Sequence, residues 1–353
     1  PPTVSNAGLS QTVCVNPGTA ILTANTPVTG TGIWTVLSGT SSVATPTSAS
    51  TGVSGLSTGL NVYQWSISNG VCPVSTSTVG VYADPLPTPS AAGPSQTICV
   101  TTASTTLAGN TPATGIGTWS ILSGGGTITS PNSPISTITG LNTPGVTILQ
   151  WSISNGTCPP SITTTTITVN NVPPASVAGT SQTVCVSPGT ATLSANTPSV
   201  GFGTWSVLSG GGVVTSPNSP NSAVTGLTTG TTVLQWSISY GVCANTTSTM
   251  SIVVNALPTI SNAGTTQTLC ASTTTLVANT PGIGNGVWSL VAGTGVIATP
   301  TNAVTGISGM GVGTNDFQWT ITNGVCPPST STISVIVYTI ATTAIAGPSQ
   351  TVC

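Results

Sequence analysis

The amino-acid sequence predicts an all-β protein, a tandem array of four antiparallel β-sandwich repeats of about 85 residues with the start of a fifth. Three observations carry this. Alternate cysteines, at 14, 99, 185, 270 and 353, step by 85, 86, 85 and 83 residues. The eight tryptophans fall into matching pairs, Trp34/Trp65, Trp119/Trp151, Trp205/Trp236 and Trp288/Trp319. One segment recurs almost unchanged, as "YQWSISNGVCP" (63–73), "LQWSISNGTCPP" (149–160), "LQWSISYGVC" (234–243) and "FQWTITNGVCPP" (317–328).

The second repeat illustrates the elements. "SQTIC" (95–99) reads as a short strand, and after a turn through "VTTAS" a second begins in "TTLAGN" (105–110). "TPATGIG" is a glycine loop, and "TWSIL" (118–122) alternates so that Trp119 and Ile121 share a face. "GGGTITSPNSPISTITGL" holds short strands broken by Pro131 and Pro134. "VTILQWSIS" (146–154) turns Leu149, Trp151 and Ile153 inward and Gln150, Ser152 and Ser154 outward. Asn155-Gly156 is a two-residue hairpin signal of type I′, with positive φ expected at both residues. The chain returns through "SITTTTITVN" and leaves by "NVPPAS". Seven short strands with frequent turns and no helical period fit an antiparallel β-sandwich. All eight tryptophans are assigned to its core, since Ile and Leu share their faces; an aromatic platform for sugars is the rival reading.

Composition excludes most chemistry. The chain has no Lys, Arg or His, and its only acidic side chains are Asp84 and Asp316. General acid–base work and an activated Ser or Cys nucleophile both need a base near neutrality. A zinc site needs clustered ligands, and a calcium site several carboxylate oxygens. Nucleic-acid binding needs Lys and Arg against phosphates. The reading is therefore no enzyme, no cofactor, no metal and no nucleic acid. No apolar run is long enough to span a membrane in this segment. The glycine stretches "TGTG" (29–32), "GIG" (115–117), "GFG" (201–203) and "SGGG" (209–212) are read as loops, because no Lys or helix follows them.

Taken together, the "AG-x-SQT-x-C" start, "G-x-G-x-W" strand, "SP-N-SP" loop, "TGL-x-x-G" corner and "W-S-I-S-N-G-x-C" hairpin resemble a known family. They are similar to the Ig-like (PKD-like) repeats of large secreted surface adhesins of Bacteroidetes, including gliding-motility-associated proteins. That resemblance covers all four repeats. It implies tandem sandwiches at the cell surface, used as stalk, fibre or adhesive filament. The near absence of charged residues departs from the family's pattern and counts against calcium binding, which wants several carboxylate oxygens.

The expected domains are 1–84, 85–170, 171–255 and 256–339, with 340–353 opening a fifth copy. Pro-bearing linkers such as "DPLPTP" (84–89), "NNVPPAS" (170–176) and "NALPTIS" (255–261) join them, and the chain reads as an excerpt of a longer array. Paired cysteines place it in an oxidising, extracellular compartment. The disulfide candidates are Cys14, Cys72, Cys99, Cys158, Cys185, Cys243, Cys270 and Cys326. Links within each repeat, Cys14–Cys72, Cys99–Cys158, Cys185–Cys243 and Cys270–Cys326, are favoured, with Cys353 awaiting a partner in a fifth copy. Counting strands opens a second pairing. If five strands separate the two cysteines of a repeat, they lie at opposite ends, and the links become Cys14–Cys158, Cys99–Cys243 and Cys185–Cys326. A chain with so little charge repulsion is expected to self-associate into a fibre. The outward Gln64, Gln150, Gln235 and Gln318 recur, which keeps surface carbohydrate as a second candidate partner.

Overall fold

A computed structural model describes residues 1–347 and 349–350; the fifth-copy cysteine, Cys353, lies outside the described residues. Among these residues there is no helix, and the strands form four repeats of a four-stranded sheet facing a three-stranded one. The chain divides into two compact units, residues 1–172 with 240–243, and residues 173–239 with 244–353.

In the first repeat β1 (Gln11–Cys14), β2 (Thr19–Thr23), β3 (Thr31–Ser38), β4 (Ser42–Val43), β5 (Ser50–Ser54), β6 (Gly59–Ser68) and β7 (Ser75–Asp84) assemble in the orders β1-β7-β6-β3 and β2-β5-β4. The second repeat repeats this plan with β8 (Gln96–Cys99), β9 (Ser104–Thr106), β10 (Ile116–Ser123), β11 (Thr127–Ile128), β12 (Thr137–Thr139), β13 (Gly145–Asn155) and β14 (Cys158–Asn170). Pairing is antiparallel throughout except at one edge: the first strand of each repeat runs parallel to the last, Gln96 opposite Ile167 and Cys99 opposite Asn170. A parallel neighbour demands a long crossover, and the intervening strands supply it.

Period-two alternation sets the core. On β13, Leu149, Trp151 and Ile153 are fully buried, while Gln150 and Ser152 are half-buried on the other face. Trp119 lies directly opposite Trp151, with ring centroids 5.0 Å apart and tilted by 40°. Trp34 faces Trp65 at 5.1 Å, and Trp205 faces Trp236 and Trp288 faces Trp319 at 5.2 Å. Such tilted pairs add about 0.5–1.5 kcal/mol beyond the area they bury. Trp65, Trp151, Trp236 and Trp319 are wholly buried, and Trp34, Trp119, Trp205 and Trp288 are at most 3 % exposed, so none is presented to a sugar. Pro134 accepts the Trp119 Nε1–H at 3.1 Å, and Pro131 accepts the Trp119 backbone N–H at 2.8 Å, so the "SP-N-SP" loop is a lid over the first tryptophan.

The last glycine of "GIG" is more than a loop residue. Gly117 sits in β10 beneath the Trp151 ring, and a Cβ there would overlap the indole; Gly32, Gly203 and Gly286 repeat the arrangement beneath Trp65, Trp236 and Trp319. The "G-x-G-x-W" motif thus records a packing need. Gly117→Ala is expected to cost about 1–3 kcal/mol through overpacking. Gly125→Ala, where a Cβ meets open space, is expected to stay within about 0.5 kcal/mol. Chemical denaturation of the two variants separates these outcomes.

Tyr63 occupies the core position held by Leu149, Leu234 and Phe317 in the other repeats, and its hydroxyl bonds with Ser41. Burial raises the phenol above its ordinary value, and the Ser41 hydrogen bond works in the opposite direction. The fold therefore keeps this proton when the unfolded chain releases it near pH ~10, and stability held below that point falls as pH rises further. Thermal melts are expected to diverge above about pH 10, with Tyr63→Phe declining less than the natural chain.

Candidate functional site: the staples and the turns they clasp

The structure pairs six of the cysteines, and it does so across repeats. Cys14 bonds to Cys158, Cys99 to Cys243 and Cys185 to Cys326, with Cα atoms 4.7, 4.9 and 4.8 Å apart. The first two staples lie within the unit that contains residues 240–243, and the third lies within the other. The favoured links Cys14–Cys72, Cys99–Cys158, Cys185–Cys243 and Cys270–Cys326 are therefore corrected. The reason is strand direction. Cys99 ends β8 opposite Asn170, the last residue of β14, whereas Cys158 is that strand's first residue. Twelve steps of extended chain separate the two positions, about 40 Å. A disulfide needs Cα atoms within about 7 Å. Five strands do separate the two cysteines of each repeat, because the Pro-broken segment contributes β11 and β12. Cys72 is half-buried and Cys270 exposed, and neither has a partner among the described residues.

Each staple is accompanied by a second contact that sequence reading did not find. The last residue of one repeat's final strand lies on the glycine turn of the next. Asp84 Oδ2 accepts the Thr157 backbone N–H at 2.7 Å and its hydroxyl at 2.9 Å. Its carboxylate fills the space where a Cβ of Gly156 would stand. Asn170 takes that place against Gly241, and Asn255 against Gly324. These turn glycines have φ of +51°, +55° and +53°, so both backbone and neighbour exclude a side chain. Asn155 Nδ2 donates to Pro85 O at 2.7 Å, and Asn323 Nδ2 to Ala256 O at 2.8 Å. In the third hairpin Tyr240 stands at this position.

The type I′ expectation shifts accordingly. Asn155 stays in the strand, paired with Cys158, and only Gly156 has positive φ, so the two-residue loop is Gly156-Thr157. The signal for the clasp was present: Asp84, Asn170 and Asn255 recur at one-repeat spacing before Pro-bearing linkers.

The tryptophans stand apart from the cysteines, because burial takes them out of reach of any ligand. Trp65 and Trp319 have no exposed surface and pack in the core. Register is the reason: each lies on the inward face of a central strand, Trp65 opposite Trp34 and Trp319 opposite Trp288. They also differ from Trp151 in one respect that residue type does not foretell. Trp151 Nε1–H donates to Asn110 Oδ1 at 3.1 Å, whereas the Nε1–H groups of Trp65, Trp236 and Trp319 meet no acceptor among the described residues.

Other candidates sort by exposure. Gln150 is flanked across the sheet by Ser120 and Thr164, and Gln64, Gln235 and Gln318 each lie between a Ser or Thr and a Thr in the same register. This makes one neutral row repeated four times on the outward face. Thr165, inside the Thr-rich run 163–169, is buried and donates to Pro94 O at 3.1 Å. Asp316 accepts from the Ser334 hydroxyl at 2.6 Å, remote in sequence from Asp84 and unrelated to it by the repeat. Among the described residues there is no group of three His, Cys, Asp or Glu able to hold a metal. No helix there is long and apolar enough to cross a membrane.

No protein-family model matches the chain, and no curated protein matches it. Solved structures do. A three-Ig structure of titin domains I67–I69, an E-to-A variant, aligns at 12% identity over 71% of this chain and 98% of that one, with a TM-score of 0.47. Sidekick-1 immunoglobulin domains 1–5 align at 12% identity over 96% of this chain and 81% of that one, TM-score 0.35. Drosophila OTK extracellular domains 3–5 align at 12% identity over 72% and 97%, TM-score 0.37. The sheets themselves define the fold: among the described residues the chain is a tandem array of Ig-like β-sandwiches stapled by three disulfides.

Proposed function

We propose that the chain is a non-catalytic structural segment of an extracellular filament or adhesin stalk, of the type seen in large Bacteroidetes surface adhesins. The observation that carries this reading is the set of overlapping staples. Each disulfide links the first strand of one repeat to the hairpin of the next. Such links add nothing to a binding pocket, but they make a connection between repeats survive pulling and proteolysis. Disulfides persist in oxidising compartments, which supports an extracellular setting. Residues 1–84, 85–170, 171–255 and 256–339 are the proposed sandwich units, with 340–353 leading into another; the final strands of the first three end at Asp84, Asn170 and Asn255.

Side-by-side association into a fibre is part of the proposal. It follows from a formal charge of −2 over 353 residues, which leaves little repulsion between chains. Negative-stain imaging of the secreted material is expected to show threads. A population of separate chains at high concentration, seen also by light scattering, would rule out the fibre. A second reading, direct binding of surface carbohydrate, rests on the repeated Ser/Thr–Gln–Thr row. Glycan-array binding that is lost with Gln150→Ala and Gln235→Ala together would favour it over the stalk.

A further inference from the structure

The third repeat holds a recess of about 370 Å³ between two of its loops, "TPSVGFG" (197–203) and "SPNSP" (216–220). Thr197, Pro198, Phe202, Gly203, Asn218 and Pro220 are among the residues that line it. A whole repeat precedes this one and another follows it, so the opening is not made by an end of the chain. Its size falls at the small end of ligand pockets, which run from about 300 to 1,000 Å³. Phe202 is 79 % exposed, whereas the other phenylalanine, Phe317, and all eight tryptophans are buried. Thr31, Ile116 and Asn285 take its place in the other repeats, so the fold of the repeat does not require an aromatic ring there. The facing loop is fixed from behind. Pro217 O accepts the Trp205 backbone N–H at 2.8 Å, and Pro220 O accepts the Trp205 Nε1–H at 3.2 Å. Asn218 Oδ1 accepts the Thr204 hydroxyl at 3.3 Å, which orients the amide and leaves Nδ2 without an acceptor among the described residues. A site held this rigidly loses little entropy when a ligand enters.

We propose that this recess binds a neutral sugar residue of a glycan, its C–H face against the Phe202 ring and its oxygens accepting from Asn218 Nδ2 and the Thr197 hydroxyl. Each part of the ligand answers to a part of the site. An aromatic face is negative, and the weakly positive C–H bonds on one side of a pyranose match it. Amide and hydroxyl donors call for acceptor oxygens beside that apolar face, because a wholly apolar occupant would cover Asn218 Nδ2 without pairing it. No ionisable side chain lines the recess, and Asp84 and Asp316 belong to the first and fourth repeats, so a charged ligand would leave water with no counter-charge. The site occurs once in the chain and is separate from the repeated Gln row. The stalk reading stands with or without it.

The test uses the whole chain labelled with fluorophenylalanine, which gives one fluorine resonance from Phe202 and one from the buried Phe317. The probes are neutral tetrasaccharides of glucose, mannose, galactose and N-acetylglucosamine, with a polyproline peptide as the rival occupant. At least one saccharide at millimolar concentration is expected to move the Phe202 signal saturably and leave that of Phe317 in place. Asn218→Ala should weaken that binding about tenfold, the worth of one hydrogen bond. By calorimetry, Phe202→Ala should abolish binding and Phe202→Trp should restore it. Both variants should melt with the natural chain, since the ring is exposed. Three results would each overturn the inference: no saccharide shifts Phe202, the peptide alone shifts it, or Asn218→Ala leaves the affinity unchanged. Sugar binding that survives Phe202→Ala but is lost with Gln150→Ala and Gln235→Ala together would also overturn it, and would place the glycan on the Gln row instead.

Discussion

Pulled by its two ends, the oxidised chain is expected to extend to no more than about 240 Å, and the fully reduced chain to about 1,200 Å, at ~3.5 Å per residue. The difference comes from the path the force must take. With the staples closed, the shortest covalent route runs through residues 1–14, across to 158–185, and across again to 326–353. That is about 70 residues; everything between is bypassed and cannot lengthen the chain even if its sandwich unfolds. Links within each repeat would leave a longer route of about 125 residues, or about 440 Å at the same rise. Single-molecule stretching with and without reductant distinguishes the two. An oxidised contour length near the longer value, or no change on reduction, would refute the staple order. The same closure also stabilises the fold at rest. A loop of 144 residues closed by one disulfide is worth about 5 kcal/mol in the chain-entropy model, with strain and the overlap of neighbouring loops reducing it.

A single cut between the second and third repeats is expected to release nothing until reductant is added. The chain contains no Lys or Arg, so Ala175→Lys would create its one tryptic bond, in an exposed linker position followed by Ser176. Cys99–Cys243 spans that cut. A non-reducing gel should therefore show one band at the mass of the whole chain, 34.4 kDa. A reducing gel should show two fragments of about half that mass, since the cut falls near the middle of the sequence. Two half-sized bands without reductant would mean that no disulfide crosses the linker. The natural chain, treated identically, should be untouched by trypsin in both lanes.

Much of this was legible in the residues. The 85-residue period, the inward face of "LQWSISNG" and the pairing of Trp119 with Trp151 follow from spacing and alternation, which act locally along the chain. The clasp was half visible, since Asp84, Asn170 and Asn255 recur, but what a strand's last side chain touches depends on the following repeat's turn. The shifted turn at Gly156-Thr157 has the same origin: Asn155 is held in the strand while its amide bonds to Pro85. Gly117 escaped notice because its partner, the Trp151 ring, lies 34 residues on in sequence.

By itself, then, the sequence determined the repeat, the sandwich and the buried tryptophans. Each of these depends on residue type and periodic placement. The disulfide partners were decided only by tertiary structure. Alternation along a strand looks the same in either direction, so no pattern in "SQTIC" or "SITTTTITVN" states that the two run parallel. That one parallel pair sends the cysteines of a repeat to opposite ends, and bonding distance is then met only at the neighbour.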